Sequence, residues 1–290
     1  RAGSGRKLEV GSLNVNTVYY AISEAATGAA GGLGVSLASV DANLAFAYNH
    51  VLASSSIRGA GEIVSLGSVS VTTDGYAYSV ATGRTRSFSV SALSVAVNVA
   101  NAGLTIEQSA YLDLTGSLNI TNGSLGVRSE IYRTGDFGKA QASVGGSGAG
   151  ANIALVGVTV NEANASALSV NSAYISGGGS IAARDVTVRA KTVSEANAIA
   201  RKSLTIAIAT IGSLAANATT GDSVSAYISG CTVKTSSGDV AITAIGSTTA
   251  YALCEEAGGV GLVSGSSTHA KTYVGTSDQQ QSVSAGVTDG

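Results

Sequence analysis

The hexapeptide Ser-Ala-Tyr-Ile-Ser-Gly occurs twice, at Ser172 to Gly177 and at Ser225 to Gly230, and a looser copy, Ser-Ala-Tyr-Leu-Asp-Leu, stands at Ser109 to Leu114. An internal repeat tens of residues long dictates stacked, near-identical units, because one such unit cannot bury its own apolar face. A second line recurs with it: Ser12-Leu13-Asn14-Val15-Asn16, Ser68-Val69-Ser70-Val71-Thr72, Ser117-Leu118-Asn119-Ile120-Thr121, Asp185-Val186-Thr187-Val188-Arg189 and Asp239-Val240-Ala241-Ile242-Thr243. Measured at Leu13, Val69, Leu118, Val186 and Val240, the spacings are 56, 49, 68 and 54 residues. The chain therefore reads as about five degenerate units, near 8–61, 62–115, 116–179, 180–238 and 239–278. They form one repetitive domain over 8–278, between a flexible lead at 1–7 and a polar tail at 279–290.

Inside the units the period is two. Leu93, Val95, Val97 and Val99 share one face, with Ser94, Ala96, Asn98 and Ala100 on the other, the pattern of a half-buried strand. Val186 to Ala200 keeps such alternation for some 15 residues, longer than an ordinary strand. Proline is absent, and the two-residue turns that close hairpins are scarce. Long alternating runs joined at Gly, Ser and Asp corners predict an all-β parallel β-solenoid, each coil stacked on the last. A long-stranded antiparallel meander fits the same alternation, but alanine on inner faces favours flattened coils whose opposite sides approach closely. At about 25 to 30 residues per coil, each unit would hold two coils, and ten coils would make a rod of about 50 Å.

Only 12% of residues are charged, against roughly a quarter in an ordinary domain. Yet 44% are apolar, enough to bury a core and to exclude disorder. The 16 basic residues are scattered and the net charge is −2, which excludes the electrostatic footprint of a nucleic-acid binder. The longest apolar run, Leu204 to Ala218, is broken by Thr205, Thr210, Gly212 and Ser213, so no membrane-spanning helix is expected. The opening Arg1-Ala2-Gly3-Ser4-Gly5 reads as the start of a piece excised from something longer.

Candidate chemistry is sparse, and the expectation is a chain that is not an enzyme and holds no metal or cofactor. Gly145 to Gly150 lacks the Lys-Ser or Lys-Thr of a phosphate loop, and Ser147 does not match a nucleophile elbow. His50 and His269 stand in the first and last units and read as surface residues on strand edges. The carboxylates Glu24, Asp74, Glu107, Asp136, Asp185, Glu195 and Asp222 are dispersed. Asp136 and Asp222, beside Gly, read as turn formers, and Glu255-Glu256 as a solvated face or corner. A carbohydrate-active β-helix, the rival function, needs three or more carboxylates or basic residues on one face. Cys231 and Cys254 lack metal-ligand spacing; they would pair if stacked on neighbouring rungs, and otherwise are free thiols. Tyr111, Tyr174 and Tyr227 hold one place in successive units, where they would stack as a ladder that stabilises a core edge or offers faces to sugars.

The repeat as a whole runs V-x-V-x-A, an Ala-rich alternation, a Gly break, an apolar strand with Asn near its end, then A-Y-I-S-G. It is carried by Val186-Thr187-Val188-Arg189-Ala190, Ala92-Leu93-Ser94-Val95-Ala96-Val97-Asn98 and the two Ser-Ala-Tyr-Ile-Ser-Gly copies. In this it resembles the repeat region of large bacterial filamentous surface adhesins, of the leukotoxin type and the filamentous haemagglutinin-like type. The resemblance covers most of the chain. It implies a secreted or cell-surface solenoid stalk, part of an adhesin or filament, with no catalytic residues to carry over. Its expected partners are a host or neighbouring-cell surface component such as a glycan, and other copies of itself, end to end or side by side. A self-assembling filament or sheath subunit is the related alternative.

Overall fold

A computed structural model describes residues 5–28, 33–84, 88–145, 152–202, 205–255, 262–275 and 282–288. The backbone winds through five coils, each built of a short, a middle and a long strand. In the first coil these are β1 (Lys7–Val10), β2 (Leu13–Gly28) and β3 (Leu33–Gly59), and in the second β4 (Glu62–Ser65), β5 (Val69–Arg84) and β6 (Phe88–Leu114). The third has β7 (Ser117–Ile120), a divided middle strand, β8 (Leu125–Ile131) with β9 (Lys139–Val144), and β10 (Asn152–Ser176). The fourth has β11 (Ser180–Ala183), β12 (Val186–Arg201) and β13 (Thr205–Ser229). The fifth has β14 (Thr232–Thr235), β15 (Val240–Glu255) and a divided long strand, β16 (Val263–Val274) with β17 (Ser282–Thr288). Short strands pair with short, middle with middle and long with long, always in parallel, giving three stacked sheets. The chain is a parallel β-solenoid, not an antiparallel meander.

Three expectations are corrected. Each repeat unit is one coil, not two, because a long strand of 25 to 27 residues spans the whole back of the middle and short strands. Five strand layers about 4.8 Å apart rise only about 19 Å from first to last, so the molecule is a slab rather than a 50 Å rod. The uneven spacings 49 and 68 came from Ser117–Thr121, whose first four residues form a short strand. The partner of Val69 in the third coil is Leu125, which makes the register steps 56, 56, 61 and 54. The extra length of the third coil includes residues 132–138, which loop out between β8 and β9. Finally, Lys7, placed in the flexible lead, opens β1, and Ser282–Thr288, placed in the polar tail, forms β17 on β13. Residues 1–4 of that lead lie outside the described residues.

The core has two apolar compartments. Near the short sheet, Ile63, Val69, Leu112, Leu118, Leu125, Ile175 and Val186 pack as large aliphatics. Farther along, where the long and middle sheets face each other directly, the filling is alanine: Ala45, Ala77, Ala100, Ala142, Ala165, Ala198 and Ala216 among others. Side chains this small let two sheets close to a narrow gap. Between the compartments runs a polar layer whose side chains cross from sheet to sheet. Ser55 Oγ donates to the Thr72 carbonyl at 2.7 Å, Thr73 Oγ1 to Ser109 at 2.8 Å, and Asn171 Nδ2 to Lys191 at 2.8 Å. At the far end a buried asparagine ladder joins coils: Asn43 donates to Asn98 at 2.9 Å, Asn98 to Asn161, and Asn161 to the Arg201 carbonyl.

Gly75 has a specific reason. Its register partner Tyr19 points inward and donates to Gln108 Oε1 at 2.8 Å, and a Cβ on Gly75 would stand 2.2 Å from the Tyr19 hydroxyl. The long strands also turn a corner. Pairing skips Leu37, Ala92, Leu155 and Ile208 in successive coils, and there Leu155 and Val156 are exposed one after the other. Strict alternation resumes on either side.

The narrow compartment predicts that Ala198→Leu, at a site with no exposed surface, destabilises the fold by about 1–3 kcal/mol through overpacking. The same change at half-buried Ala182 on the short sheet should be nearly neutral; urea unfolding of the two variants checks it.

Candidate functional site

Stacking gathers residues that are far apart in the chain, and the outer face of the middle sheet shows this most. Tyr20 pairs in register with Tyr76, and Tyr132 follows Ile131, the partner of Gly75. The three rings stack, with centroids 4.9 and 5.2 Å apart and planes 12° apart. Phe137, carried on the 132–138 loop, meets Tyr20, Tyr76 and Tyr78 edge-on at 6.0, 5.7 and 5.5 Å. The Tyr78 hydroxyl donates to Glu24. This cluster escaped sequence reasoning; its signal was the 56-residue step from Tyr20 to Tyr76 and again to Tyr132.

Beside it lies a network of ion pairs. Arg128 reaches Asp74 at 3.5 Å, Arg189 Nε lies 3.2 Å from Glu130, and Glu195 takes both Arg133 and, at 3.8 Å, Lys139. Tyr132 donates to Asp74 at 3.3 Å, and burial, followed by the Glu130 and Asp74 carboxylates, pushes its phenol up. The carboxylates looked dispersed along the chain, yet the coils bring Asp74, Glu130 and Glu195 onto one face with four cations. Each lies within 4.0 Å of a guanidinium or ammonium group, so the network clips coils two to four together.

On the long sheet, Tyr111, Tyr174 and Tyr227 come together as a stack. Centroids are 4.8 and 5.0 Å apart, planes within 4° of parallel, and the Arg58 guanidinium caps Tyr111 at 4.7 Å. Burial pushes the Tyr174 and Tyr227 phenols up. An asparagine ladder runs alongside, Asn217 donating to Asn164 and Asn164 to Asn101, both at 2.8 Å. Next to the tyrosines a serine stands in every coil: Ser54, Ser109, Ser172, Ser225 and Ser284.

The remaining candidates are separate. His50 lies 3.5 Å from Glu107 on the first coil, and His269, 3.0 Å from Ser267 Oγ, is on the fifth. Asp185 accepts from Arg184 and Ser124, each at 2.8 Å, which hold its carboxyl below the usual range, the Arg184 bond foremost. Asp136 sits in the 132–138 loop, and Glu255 pairs with Arg201. Gly146 to Gly150, with Ser147, and Glu256 lie outside the described residues. Cys231 and Cys254 are free thiols. They stand at opposite ends of one coil, not on neighbouring rungs, and the β15 stretch between Val240 and Cys254 spans roughly 46 Å, beyond any disulfide's reach. Among the described residues no group of three or more His, Cys, Asp and Glu is placed to hold a metal ion. No helix is long and apolar enough to cross a membrane.

Asp222 is the chief misreading. Expected as a turn former beside Gly221, it lies inside β13 with no exposed surface. Ser169 donates to one carboxylate oxygen at 2.7 Å and Ser194 to the other at 2.9 Å. Burial outweighs both bonds and pushes the carboxyl up to about 6. No family model, curated protein or solved structure matches the chain.

Two outcomes follow from this geometry. Tyr174 stacks on both sides and Tyr227 on one within its ladder, so Tyr174→Ala should lose about 1–3 kcal/mol of stacking and Tyr227→Ala about half that, beyond burial, in thermal or urea unfolding. For Asp222, the unfolded chain releases the proton near the ordinary value of 3.8, whereas the folded chain holds it to about 6. Stability therefore falls by up to about 3 kcal/mol as pH rises through that window and levels off above it. Asp222→Asn should flatten this part of the profile, as read from urea midpoints at successive pH values.

Proposed function

We propose that this chain is a non-catalytic structural segment of a bacterial extracellular adhesin or filament. It would lie at the cell surface or in a secreted protein, giving rigidity and a repetitive surface for attachment to a host or neighbouring-cell component. One observation carries the reading: the polar and aromatic residues repeated from coil to coil are engaged with one another along the stacking axis. The tyrosine stack, both asparagine ladders and the ion pairs between coils all join one layer to the next. Such an arrangement resists separation of the layers.

A glycan is the surface component that the outer rows suit best, through the serine row and ring edges on the long sheet. Single-molecule stretching tests the structural role. Pulled by its two ends, the chain should yield in discrete steps, each releasing one coil of about 55 residues, or roughly 190 Å of contour. Smooth extension at low force would sink the proposal.

A further inference from the structure

Length in this fold comes only from adding coils, and this chain presents an open face at each end. The first coil leaves one edge of β1, β2 and β3 without a neighbour, and the fifth leaves one edge of β14, β15, β16 and β17 so. Unpaired strand edges are templates for further pairing. The first-coil face also holds a cavity of about 510 Å³, lined by Leu8, Leu13, Val15 and Ile57 and floored by Ile63 and Tyr111.

We propose that the fifth-coil face of one copy docks on the first-coil face of the next, continuing all three sheets head to tail. The proposal rests on the structural reading above and names its partner, a second copy of this chain. The argument is register. Extending each row one step past the fifth coil sets Val233 on Leu8, Val240 on Leu13, Ile242 on Val15 and Val287 on Ile57. Those four rows are aliphatic in every coil, so the step delivers four aliphatic side chains to the mouth of the cavity. The facing strands match in length: four residues in β14 and β1, sixteen in β15 and β2.

Three outward rows decide between a second copy and an arbitrary partner. Glu9 falls opposite Lys234, Phe46 opposite Lys271, and Tyr48 opposite Tyr273. These are an ion pair, a cation over a ring and a pair of aromatic rings. The same rows in the middle coils carry Val64, Asn119 and Ala182; Asn101, Asn164 and Asn217; and Gly103, Ser166 and Thr219. Complementarity is therefore confined to the two ends, where no coil of the same copy can use it. Phe46, Tyr48 and Tyr273 are 49%, 66% and 49% exposed in the single copy. The seam has one interruption, residues 275–281, which stand where the first coil has only His50 and Val51. A heterologous contact whose operator is a translation along the stacking axis does not close, so the product is a filament rather than a dimer.

Sedimentation velocity of the purified chain over two decades of concentration tests this, with electron microscopy of the largest species. Filaments should form with an axial repeat of about 24 Å, five strand layers. Glu9→Lys or Lys234→Glu alone, both at exposed sites, should raise the concentration at which filaments appear by roughly two- to tenfold, and the two together should restore it. Discrete dimers would assign the edges to a two-fold pairing and overturn the proposal. So would monomers at every concentration, including monomers whose cavity binds the apolar dye anilinonaphthalene sulfonate. Filaments indifferent to both charge reversals would overturn this register. Because stretching reads one molecule, a force-resistant monomer defeats head-to-tail docking while leaving the structural role standing.

Discussion

Everything in this molecule depends on coils stacking parallel and in register, so that each side chain stands about 4.8 Å from its counterpart above and below. That spacing selects what a row can contain. Aliphatics tolerate it, as in Leu8, Ile63, Leu118, Ile181 and Val233. Amides suit it, because each can donate to one neighbour and accept from the other, as Asn164 does between Asn217 and Asn101. Aromatic rings suit it because it approaches their stacking distance. Charges do not. Arg128 and Arg189 are register partners, and the repulsion between them is offset only because Asp74 and Glu130, paired in the row two residues on, interleave with them.

The interior follows from a mismatch of widths. Where the short sheet props the coil open, large aliphatics fill the space; where two sheets face each other directly, only alanine fits. The seam between the compartments is too narrow for leucine and too wide for alanine to close. Hydroxyls and amides bridge it by bonding to carbonyls of the opposite sheet, as Ser55, Thr73 and Asn171 do. Asp222 belongs to this layer. Its row runs Val51, Ile106, Ser169, Asp222, apolar in the first two coils and polar in the next two. Ser169 and Ser194 satisfy both carboxylate oxygens, yet burial still holds the proton on past its ordinary range.

The architecture was legible because alternation and repetition are local signals. The Tyr111, Tyr174 and Tyr227 row could be read from three near-identical peptides, whereas the coil size could not. Whether the chain turns after 25 residues or after 55 depends on which strands face each other, and Leu118 offered a false register because a short strand carries the same Ser-Leu-Asn pattern as a middle one. Asp222 was misread since Gly-Asp is ordinarily turn chemistry, here overridden by tertiary pairing on β10. The ion-pair face was hidden for a different reason. Glu130 and Arg189 are 59 residues apart, and only a correct register makes them neighbours.

That register also decides how the aromatic rows can meet a partner. A sugar stacks on the face of a ring, and rings 4.8 to 5.2 Å apart cover one another's faces. Tyr174 and Tyr76 have neighbours on both sides, and Tyr111 is closed by Tyr174 and Arg58. Faces remain at the ends of rows: that of Tyr20 on the first coil, and that of Tyr227 toward Gly286, which brings no side chain to cover it. Elsewhere the rows present ring edges and hydroxyls beside serines spaced by one coil. A ladder that stiffens the slab thereby gives up most of its capacity to bind through ring faces, and recognition along the flank has to be edge-on and repetitive.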